Sequence, residues 1–214
     1  MLTNTIIRGD SLAVLPQLPA GCADLVLTDP PYVVGYRDRS GRSIAGDTST
    51  AWIAPAFREI YRTLKDNRFC VSFYGWNRAD DFLGAWRRAG FKPAGHIVLV
   101  KRYASGSGFL RYQHEQAYLL TKGRPSRRPF PLRDVLRWDY TGNQLHPTQK
   151  PVSALKPIIG AFSRRGDLVL DPFAGSGSTL HAARQMGRRY LGIDLSEDYC
   201  RIARERLNAG DREK

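Results

Sequence analysis

Short apolar runs alternate along this chain with segments in which apolar residues recur at helical spacing. The apolar runs predict strands at 5–7, 23–28, 69–74, 96–100, 115–121, 167–171 and 189–194. The helical spacing predicts helices at about 51–65 and around 82–86, 155–162, 180–186 and 199–207. Strands that alternate with helices are typical of an open, mostly parallel α/β sheet.

The strands at 96–100 and 115–121 are separated by a long loop instead of a helix. Because a parallel connection needs a crossover, we expect this pair to be antiparallel and to lie at one edge of the sheet. The 214 residues are ample for one core, and we expect a single domain. Three segments rich in Gly, Pro, Arg and aromatic residues are predicted to be loops: 33–50, 101–113 and 123–146.

The stretch Asp29-Pro30-Pro31-Tyr32 ends the apolar run of 23–28. The two prolines cannot donate ladder hydrogen bonds, so the strand stops and leaves Asp29 and Tyr32 on a stiff turn at its carboxyl end. Ligands bind at that edge in open α/β sheets. A strand-ending turn with a surface aspartate is the simpler interpretation, and a second motif far downstream argues against it.

The second motif, Asp-Pro-Phe-Ala-Gly-Ser-Gly-Ser-Thr at 171–179, joins a strand to a helix. Gly175 and Gly177 let the backbone come close to a ligand, and the helix start offers N–H groups. Leu180 stands where a dinucleotide fingerprint needs a third glycine, and no Gly-Lys-Ser/Thr of a phosphate loop follows. Asp194, at the end of the next strand, can accept hydrogen bonds from ribose hydroxyls. These residues predict an adenosine-containing cofactor that needs no pyrophosphate.

The chain carries 33 Lys and Arg against 20 Asp and Glu, a net charge of +13. Such an excess favours a polyanionic partner, and nucleic acid is the first candidate. Basic residues interleave with aromatic ones in the predicted loops, which suits phosphate neutralisation and base stacking, although solvated loops are the alternative. The predicted nucleic-acid contacts are Tyr36, Arg37, Arg39, Arg42, Lys101, Arg102, Arg111, Arg124, Arg127 and Arg128.

Three widely spaced cysteines without a Cys-x-x-Cys pair favour reduced thiols in a cytoplasmic protein. The four histidines show no ligand spacing, so no metal is expected. No apolar run is long enough to span a membrane, and residues 1–8 lack the apolar core of a signal peptide, so no membrane partner is expected.

The order of the motifs resembles that of the DNA amino-methyltransferases of the beta class, which use S-adenosylmethionine and in which Asp-Pro-Pro-Tyr precedes the glycine-rich motif. The resemblance covers nearly the whole chain and extends to residues 9–12, 114–115, 146–151 and 192–194. It implies a Rossmann-like sheet of seven strands, mostly parallel with one antiparallel strand, in circularly permuted motif order. It also implies methyl transfer from S-adenosylmethionine, which leaves as S-adenosylhomocysteine, to N6 of adenine in double-stranded DNA.

The resemblance also implies roles for individual residues. The catalytic residues are Asp29, Pro30, Pro31 and Tyr32. The cofactor-binding residues are Asp10, Asp29, Thr148, Lys150, Asp171, Phe173, Ala174, Gly175, Ser176, Gly177 and Asp194. Lys150 is expected at the cofactor carboxylate. A solvated lysine at a helix start is the alternative, and the helix dipole disfavours a cation there.

In this family an aspartate first in the catalytic motif goes mainly with adenine N6, whereas serine goes mainly with cytosine N4. Methylation of cytosine N4 or of RNA is the alternative, and a non-catalytic DNA-binding regulator with this fold is the third. The stretch between the motifs is short, so we expect a short or relaxed target, or specificity completed by a second subunit. Family members often pair, which implies a homodimer. Without a nuclease-like region, the chain is either a solitary methylase or one part of a restriction–modification system.

Overall fold

In a computed structural model of the protein, residues 2–35, 46–105, 109–127, 129–139 and 149–209 are described. The strands are β1 (Thr5–Arg8), β2 (Ala23–Thr28), β3 (Leu64–Phe73), β4 (Lys92–Ser105), β5 (Tyr112–Lys122), β6 (Val135–Trp138), β7 (Leu168–Asp171) and β8 (Arg189–Asp194). The helices are α1 (Ser11–Val14), α2 (Ile53–Thr63), α3 (Ala79–Ala89), α4 (Val152–Phe162), α5 (Ser178–Gln185) and α6 (Glu197–Ala209).

Within these residues the strands form one eight-stranded sheet in the order β1-β8-β7-β2-β3-β5-β4-β6. Strand β5 runs antiparallel to both neighbours, and every other pair is parallel. The prediction of a mostly parallel sheet with one antiparallel strand is confirmed, as is the antiparallel pairing of 96–100 with 115–121. The chain leaves β2 towards β3 and leaves β7 towards β8, so these two neighbours form the switch point where α/β sheets bind ligands.

The sheet has eight strands, where the resemblance implied seven. The additional strand, β6, lies inside the predicted loop 123–146 and occupies the edge of the sheet in place of the β4–β5 pair. Its sequence Val-Leu-Arg-Trp is too short and too mixed to signal a strand, and pairing with the end of β4 forms it. Much of the predicted loop 101–113 is also strand, because β4 reaches Ser105 and β5 begins at Tyr112.

Helices cover both faces of the sheet. All six residues of β2 are buried, as expected for a strand that is covered on both sides. Leu25 and Leu27 belong to the core cluster that includes α4, α5 and α6. Val26 belongs to the other cluster, with α2 and α3, where Phe57 and Trp86 meet edge to face with ring centres 5.8 Å apart.

The polarity of the strands gives the sheet two chemically different edges. We use the term carboxyl edge for the side where the parallel strands end and amino edge for the side where they begin. Asp29, Asp171 and Asp194 lie at or directly after the ends of β2, β7 and β8, at the carboxyl edge. Because β5 is reversed, it begins at the carboxyl edge with Tyr112 and ends at the amino edge with Lys122.

Candidate active site

Asp29 stands on the turn that ends the buried strand β2. The strand stops at Thr28, directly before Asp29 and the two prolines, as the sequence predicts. The Tyr32 hydroxyl donates to Asp29 Oδ1 at 2.8 Å, and Lys150 Nζ lies 2.6 Å from Asp29 Oδ2. Both carboxylate oxygens are therefore held by neighbouring side chains.

Lys150 is enclosed by aromatic rings. Its side chain is 6% exposed, and its ammonium lies 5.0 Å from the ring centre of Phe73, 5.4 Å from that of Tyr32 and 5.7 Å from that of Trp138. The negative faces of such rings stabilise a buried cation. The alternative of a solvated lysine is therefore wrong, and the ammonium is placed against Asp29.

Strands β4 and β5 supply a further pair of charges near the Asp29 turn, and β6 supplies an aromatic ring. The ammonium of Lys101 pairs with the carboxylate of Glu115 and lies 5.3 Å from the ring centre of Trp138, the ring that Lys150 also approaches. Lys101 was predicted to contact nucleic acid. That prediction is not supported, because the side chain is buried and its charge is already neutralised.

The protonation of this cluster is set by burial and by its internal pairing. Burial raises the pKa of Asp29, and the Lys150 ammonium and the Tyr32 hydroxyl oppose that rise. Burial and the neighbouring Asp29 raise the pKa of Tyr32 well above its usual value. The phenol therefore keeps its proton and donates a hydrogen bond to the carboxylate.

The glycine-rich turn follows β7, next to β2 in the sheet. Gly177 has φ 76°, and a Cβ there would lie 2.9 Å from Cβ of Ala203, so both the backbone and the packing require glycine. Asp171 is 2% exposed and accepts a hydrogen bond from the Phe173 N–H at 3.1 Å. Burial raises the pKa of Asp171 to about 7, although hydrogen bonds from Thr179 and Phe173 oppose the rise. A buried carboxylate of this kind favours a cationic ligand.

Asp194 links the end of β8 to the glycine turn. Its Oδ2 accepts from the Gly175 N–H and its Oδ1 from the Ser196 N–H, each at 2.8 Å. Asp10 follows β1, which pairs with β8, and its exposed side chain caps α1 by accepting from the Leu12 N–H at 2.9 Å. The carboxylates of Asp10, Asp194 and Asp171 thus follow three successive strands of the sheet.

Asp47 is a candidate positioning residue that the sequence analysis missed. Its buried Oδ1 accepts from the backbone N–H groups of Val33, at 2.5 Å, and Val34, at 3.2 Å. Val33 has φ 59°, a left-handed conformation that a β-branched residue rarely adopts. The hydrogen bonds to this carboxylate therefore stabilise a strained backbone conformation directly after Tyr32. Asp47 lies in a segment without periodicity, so no pattern in the sequence singled it out.

The predicted nucleic-acid contacts do not lie on one surface. Arg102 and Arg111 are exposed near the end of β4 and the start of β5, at the carboxyl edge. Arg124 and Arg127 follow the end of β5 at the amino edge, where the Arg124 N–H donates to Asn67 at the start of β3. These two arginines therefore lie at the opposite edge of the sheet from Asp29, away from Arg102 and Arg111, and their contact with nucleic acid stays a prediction.

Other predicted site residues lie outside the described residues. They are Tyr36, Arg37, Arg39, Arg42, Arg128 and Thr148. Within the described ranges, no group of His, Cys, Asp and Glu could hold a metal ion. No helix of that same part of the chain is long and apolar enough to cross a membrane. The chemistry described at this edge is that of carboxylates, two enclosed ammonium groups and aromatic rings, an arrangement that can orient an amine and bind a cationic ligand.

Comparison with known proteins identifies the family to which this chain belongs. A family model described as DNA methylase matches residues 23–205, which is most of the chain. The chain therefore belongs to the DNA methylase family. The family membership that the order of the motifs implied is confirmed.

Individual relatives resemble nearly the whole chain. YubD of Escherichia coli K12, named as a candidate methylase, is 53% identical over 209 residues, which cover 98% of this chain and 92% of YubD. The DNA adenine methyltransferase YhdJ of the same strain is 31% identical over 249 residues, which cover 96% of this chain and 83% of YhdJ. The solved structure of TTHA0409 from Thermus thermophilus, named as a candidate DNA modification methylase and complexed with S-adenosyl-L-methionine, has a TM-score of 0.76 at 24% identity. The match covers 96% of this chain and 93% of the TTHA0409 chain, so the two proteins share the fold.

Proposed function

We propose that this protein transfers a methyl group from S-adenosylmethionine to the N6 amino group of adenine in double-stranded DNA. The observation that carries the proposal is the Asp29 carboxylate, held by Tyr32 and Lys150 beside the glycine turn. Membership of the DNA methylase family sets the class of reaction. The likeness to YhdJ, a DNA adenine methyltransferase, supports adenine as the base.

The Asp29 turn suits the activation of an exocyclic amine. Such an amine shares its lone pair with the ring of the base and is a poor nucleophile. Hydrogen bonds from the amine to the Asp29 carboxylate and the Pro30 carbonyl draw it towards tetrahedral geometry and free that lone pair. Each oxygen of Asp29 has a second lone pair beyond its bond to Tyr32 or Lys150. Because those bonds already fix the carboxylate, little reorganisation opposes the reaction.

We assign Tyr32 a second task, which is to stack on the adenine once it has left the duplex. A base inside a duplex cannot bring its amine to a protein carboxylate, so it must be flipped out. The aromatic ring and the carboxylate are three residues apart on one rigid turn. Stacking and hydrogen bonding therefore orient the same base, and positioning contributes much of the rate.

The residues of the glycine turn fit S-adenosylmethionine, which carries a cationic sulfonium, an ammonium and two ribose hydroxyls. The buried Asp171, with its raised pKa, is stabilised in its charged form by a cation. Asp194 keeps lone pairs for the ribose hydroxyls, and Asp10 is assigned to the adenine amino group. Residues 173–177 form the cradle, and Thr148 and Lys150 are assigned to the cofactor carboxylate. When bound, the cofactor supplies a methyl group activated by its sulfonium.

We further propose that Arg102 and Arg111 bind DNA phosphates at the carboxyl edge. The basic and aromatic composition of the predicted loops adds Tyr36, Arg37, Arg39, Arg42 and Arg128 to the proposed DNA contacts. The resemblance adds a homodimer as the proposed assembly. A cytoplasmic location suits the three cysteines, all of which are free thiols. Methylation of cytosine N4 is the second candidate function, because the family includes enzymes of both specificities.

The proposal is tested by incubating duplex DNA with S-adenosylmethionine that carries an isotopically labelled methyl group. The DNA is then digested to nucleosides, and the labelled base is identified by mass spectrometry. We expect N6-methyladenine. Label in N4-methylcytosine would support the second candidate function instead of adenine methylation. A parallel reaction contains RNA in place of DNA, and label found in that reaction alone changes the substrate class. Absence of label from both nucleic acids, with cofactor bound, points to a non-catalytic regulator.

A further inference from the structure

Two aromatic rings lie stacked at the carboxyl edge, outside the residues assigned so far. Trp76 follows the end of β3, and Tyr112 begins the antiparallel neighbour β5. Their ring centres are 6.1 Å apart, with an angle of 24° between the planes. We refer to Trp76 and Tyr112 as the aromatic platform. Stacked rings of this kind hold each other in one orientation.

Trp76 differs from the other tryptophans in its exposure. It is 64% exposed, whereas Trp86 and Trp138 are buried and Trp52 is half-buried. A large aromatic ring held at the surface contributes little to the core. Its exposed area is available to a partner that stacks on it.

The aromatic platform adjoins the catalytic turn. Gly75, the residue before Trp76, is buried against Tyr32: a Cβ at Gly75 would lie 2.9 Å from the Tyr32 Cβ and 3.2 Å from the Tyr32 carbonyl oxygen. The backbone that positions Trp76 is thus packed on the backbone that positions Tyr32. A chain that enters the site at Asp29 passes beside Trp76.

The surroundings of the aromatic platform suit a polyanion. Arg78, two residues after Trp76, is exposed and lies 3.9 Å from Asp81, and Arg111, directly before Tyr112, is also exposed. Phe109 and Leu110 are exposed next to Arg111 and extend the apolar surface. Aromatic rings flanked by cations are the composition that binds bases by stacking and phosphates by charge.

We propose that the aromatic platform stacks against a base that flanks the target base and so holds the DNA strand while the target is flipped out. This inference rests on the proposed function, because it takes DNA as the occupant of the Asp29 site. Stacking on an aromatic ring is tolerant of sequence, since every base has a π-face. The platform therefore adds affinity for DNA and little discrimination between flanking sequences.

The test compares Trp76→Ala with Phe130→Ala, a matched change of an exposed aromatic residue. Phe130 is 88% exposed and lies near Arg68 and Arg164 at the amino edge. We expect Trp76→Ala to raise KM for duplex DNA about ten-fold, the loss of one stacked base. Trp76→Phe should restore most of the affinity, and Phe130→Ala should change KM little. Affinity for S-adenosylmethionine, measured by calorimetry, should be unchanged in all three variants.

Fluorescence gives a second readout that does not depend on turnover. Duplex DNA should quench part of the wild-type tryptophan emission, and that part should be lost in Trp76→Phe. Equal KM values and equal quenching for Trp76→Ala and Phe130→Ala would overturn the inference. A change in oligomeric state of Trp76→Ala without a change in DNA affinity would also overturn it, in favour of a second copy of the chain as occupant. If the wild type methylates no DNA, the proposed function fails. The quenching of tryptophan emission by DNA then still tests whether the aromatic platform binds DNA.

Discussion

At the carboxyl edge of the sheet, Lys150 and Tyr32 both converge on the carboxylate of Asp29. At the amino edge, basic residues are paired differently. Arg68 reaches Asp24 at 3.2 Å, and Lys122 donates to backbone carbonyls at the end of α2 and the start of β3. The pairs at the amino edge tie strand and helix ends together. Those at the carboxyl edge instead hold one acidic group at the switch point of the sheet, where a ligand can reach it.

Composition does not distinguish the two edges. The amino edge has an open cleft lined by Arg68, Arg127, Phe130 and Arg164, so it is as basic and aromatic as the surface near Asp29. The sequence analysis predicted nucleic-acid contacts in loops that join both edges, because basic and aromatic residues interleave in those loops. The comparison shows that strand polarity decides which edge of the sheet a loop joins, and therefore whether a charged residue lies near Asp29 or at the opposite edge.

Apart from changes to Asp29 itself, the largest effect is expected for Lys150→Met, which removes the cation beside Asp29. In the proposed reaction the ionised Asp29 carboxylate accepts a hydrogen bond from the target amine, and without the opposing ammonium burial raises the pKa of Asp29 further. We expect methyl transfer near pH 7 to fall about a hundred-fold. Because the carboxylate then ionises at higher pH, the rising limb of the pH–rate profile should shift to higher pH. Lys150→Arg, which keeps the charge, is the control, and a profile that does not move would refute this role.

A second effect concerns Asp171, whose pKa of about 7 lies above the ordinary 3.8. The folded protein without cofactor binds this proton more tightly than the unfolded chain, so its stabilising contribution is present at low pH and is lost as pH rises from 4 to 7. Asp171→Asn removes that loss. The free energy of unfolding of the variant should exceed that of the wild type by on the order of 1–3 kcal/mol at pH 8, and by less towards pH 4. The variant should also bind S-adenosylmethionine more weakly than the wild type.

Thermal unfolding across this pH range measures the gain, and calorimetry measures the cofactor affinity. Asp167→Asn is the matched control at the amino edge, just before β7. Asp167 accepts a hydrogen bond from the Arg164 N–H at 2.8 Å, so this change should destabilise the fold and leave cofactor binding intact. If the change in stability relative to the wild type depended on pH in the same way in both variants, the stability data would not distinguish the carboxyl edge from the amino edge.

A third effect separates packing from backbone strain. Gly177 and Gly166 both have positive φ, 76° and 82°, but only at Gly177 would a Cβ meet a close neighbour, Ala203 at 2.9 Å. We expect Gly166→Ala to cost about 1 kcal/mol, from the left-handed conformation alone. Gly177→Ala should cost about 2–3 kcal/mol and should also weaken cofactor binding. Denaturant unfolding measures both, and equal costs would show that Ala203 moves aside.

The smallest effect concerns individual phosphate contacts. Arg111→Ala should lower the slope of log affinity for DNA against log salt by about one, because one contact at the carboxyl edge is lost. Arg127→Ala at the amino edge should leave the slope unchanged. Binding titrations of duplex DNA at several salt concentrations test both. A reduced slope for Arg127→Ala alone would reverse the assignment of the two edges.

The sequence predicted the parts of the fold that depend on local patterns. Strands β2 and β8 have the predicted bounds. The Asp29 turn and the glycine turn, expected at strand ends, lie on neighbouring strands. Each of these features follows from residues that are close together in the chain.

What the sequence did not predict depends on contacts between distant segments. Strand β6 forms only because β4 extends beside it. The position of Arg124 and Arg127 follows from the reversal of β5. The sequence analysis predicted that reversal but did not use it to work out which edge of the sheet the following loop joins. The burial of Lys101 and Lys150 likewise depends on Trp138, which arrives from that unpredicted strand.

Single-turnover methyl transfer by Asp29→Ala, with duplex DNA and labelled S-adenosylmethionine, tests the central claim most directly. Cofactor affinity and the unfolding transition are measured on the same preparation, so that a folding defect is not mistaken for lost chemistry. If the Asp29 carboxylate activates the target amine, the rate falls by a factor of about a hundred or more while the protein remains folded and binds cofactor. A folded, cofactor-bound variant that transfers methyl groups at nearly the wild-type rate would contradict the account.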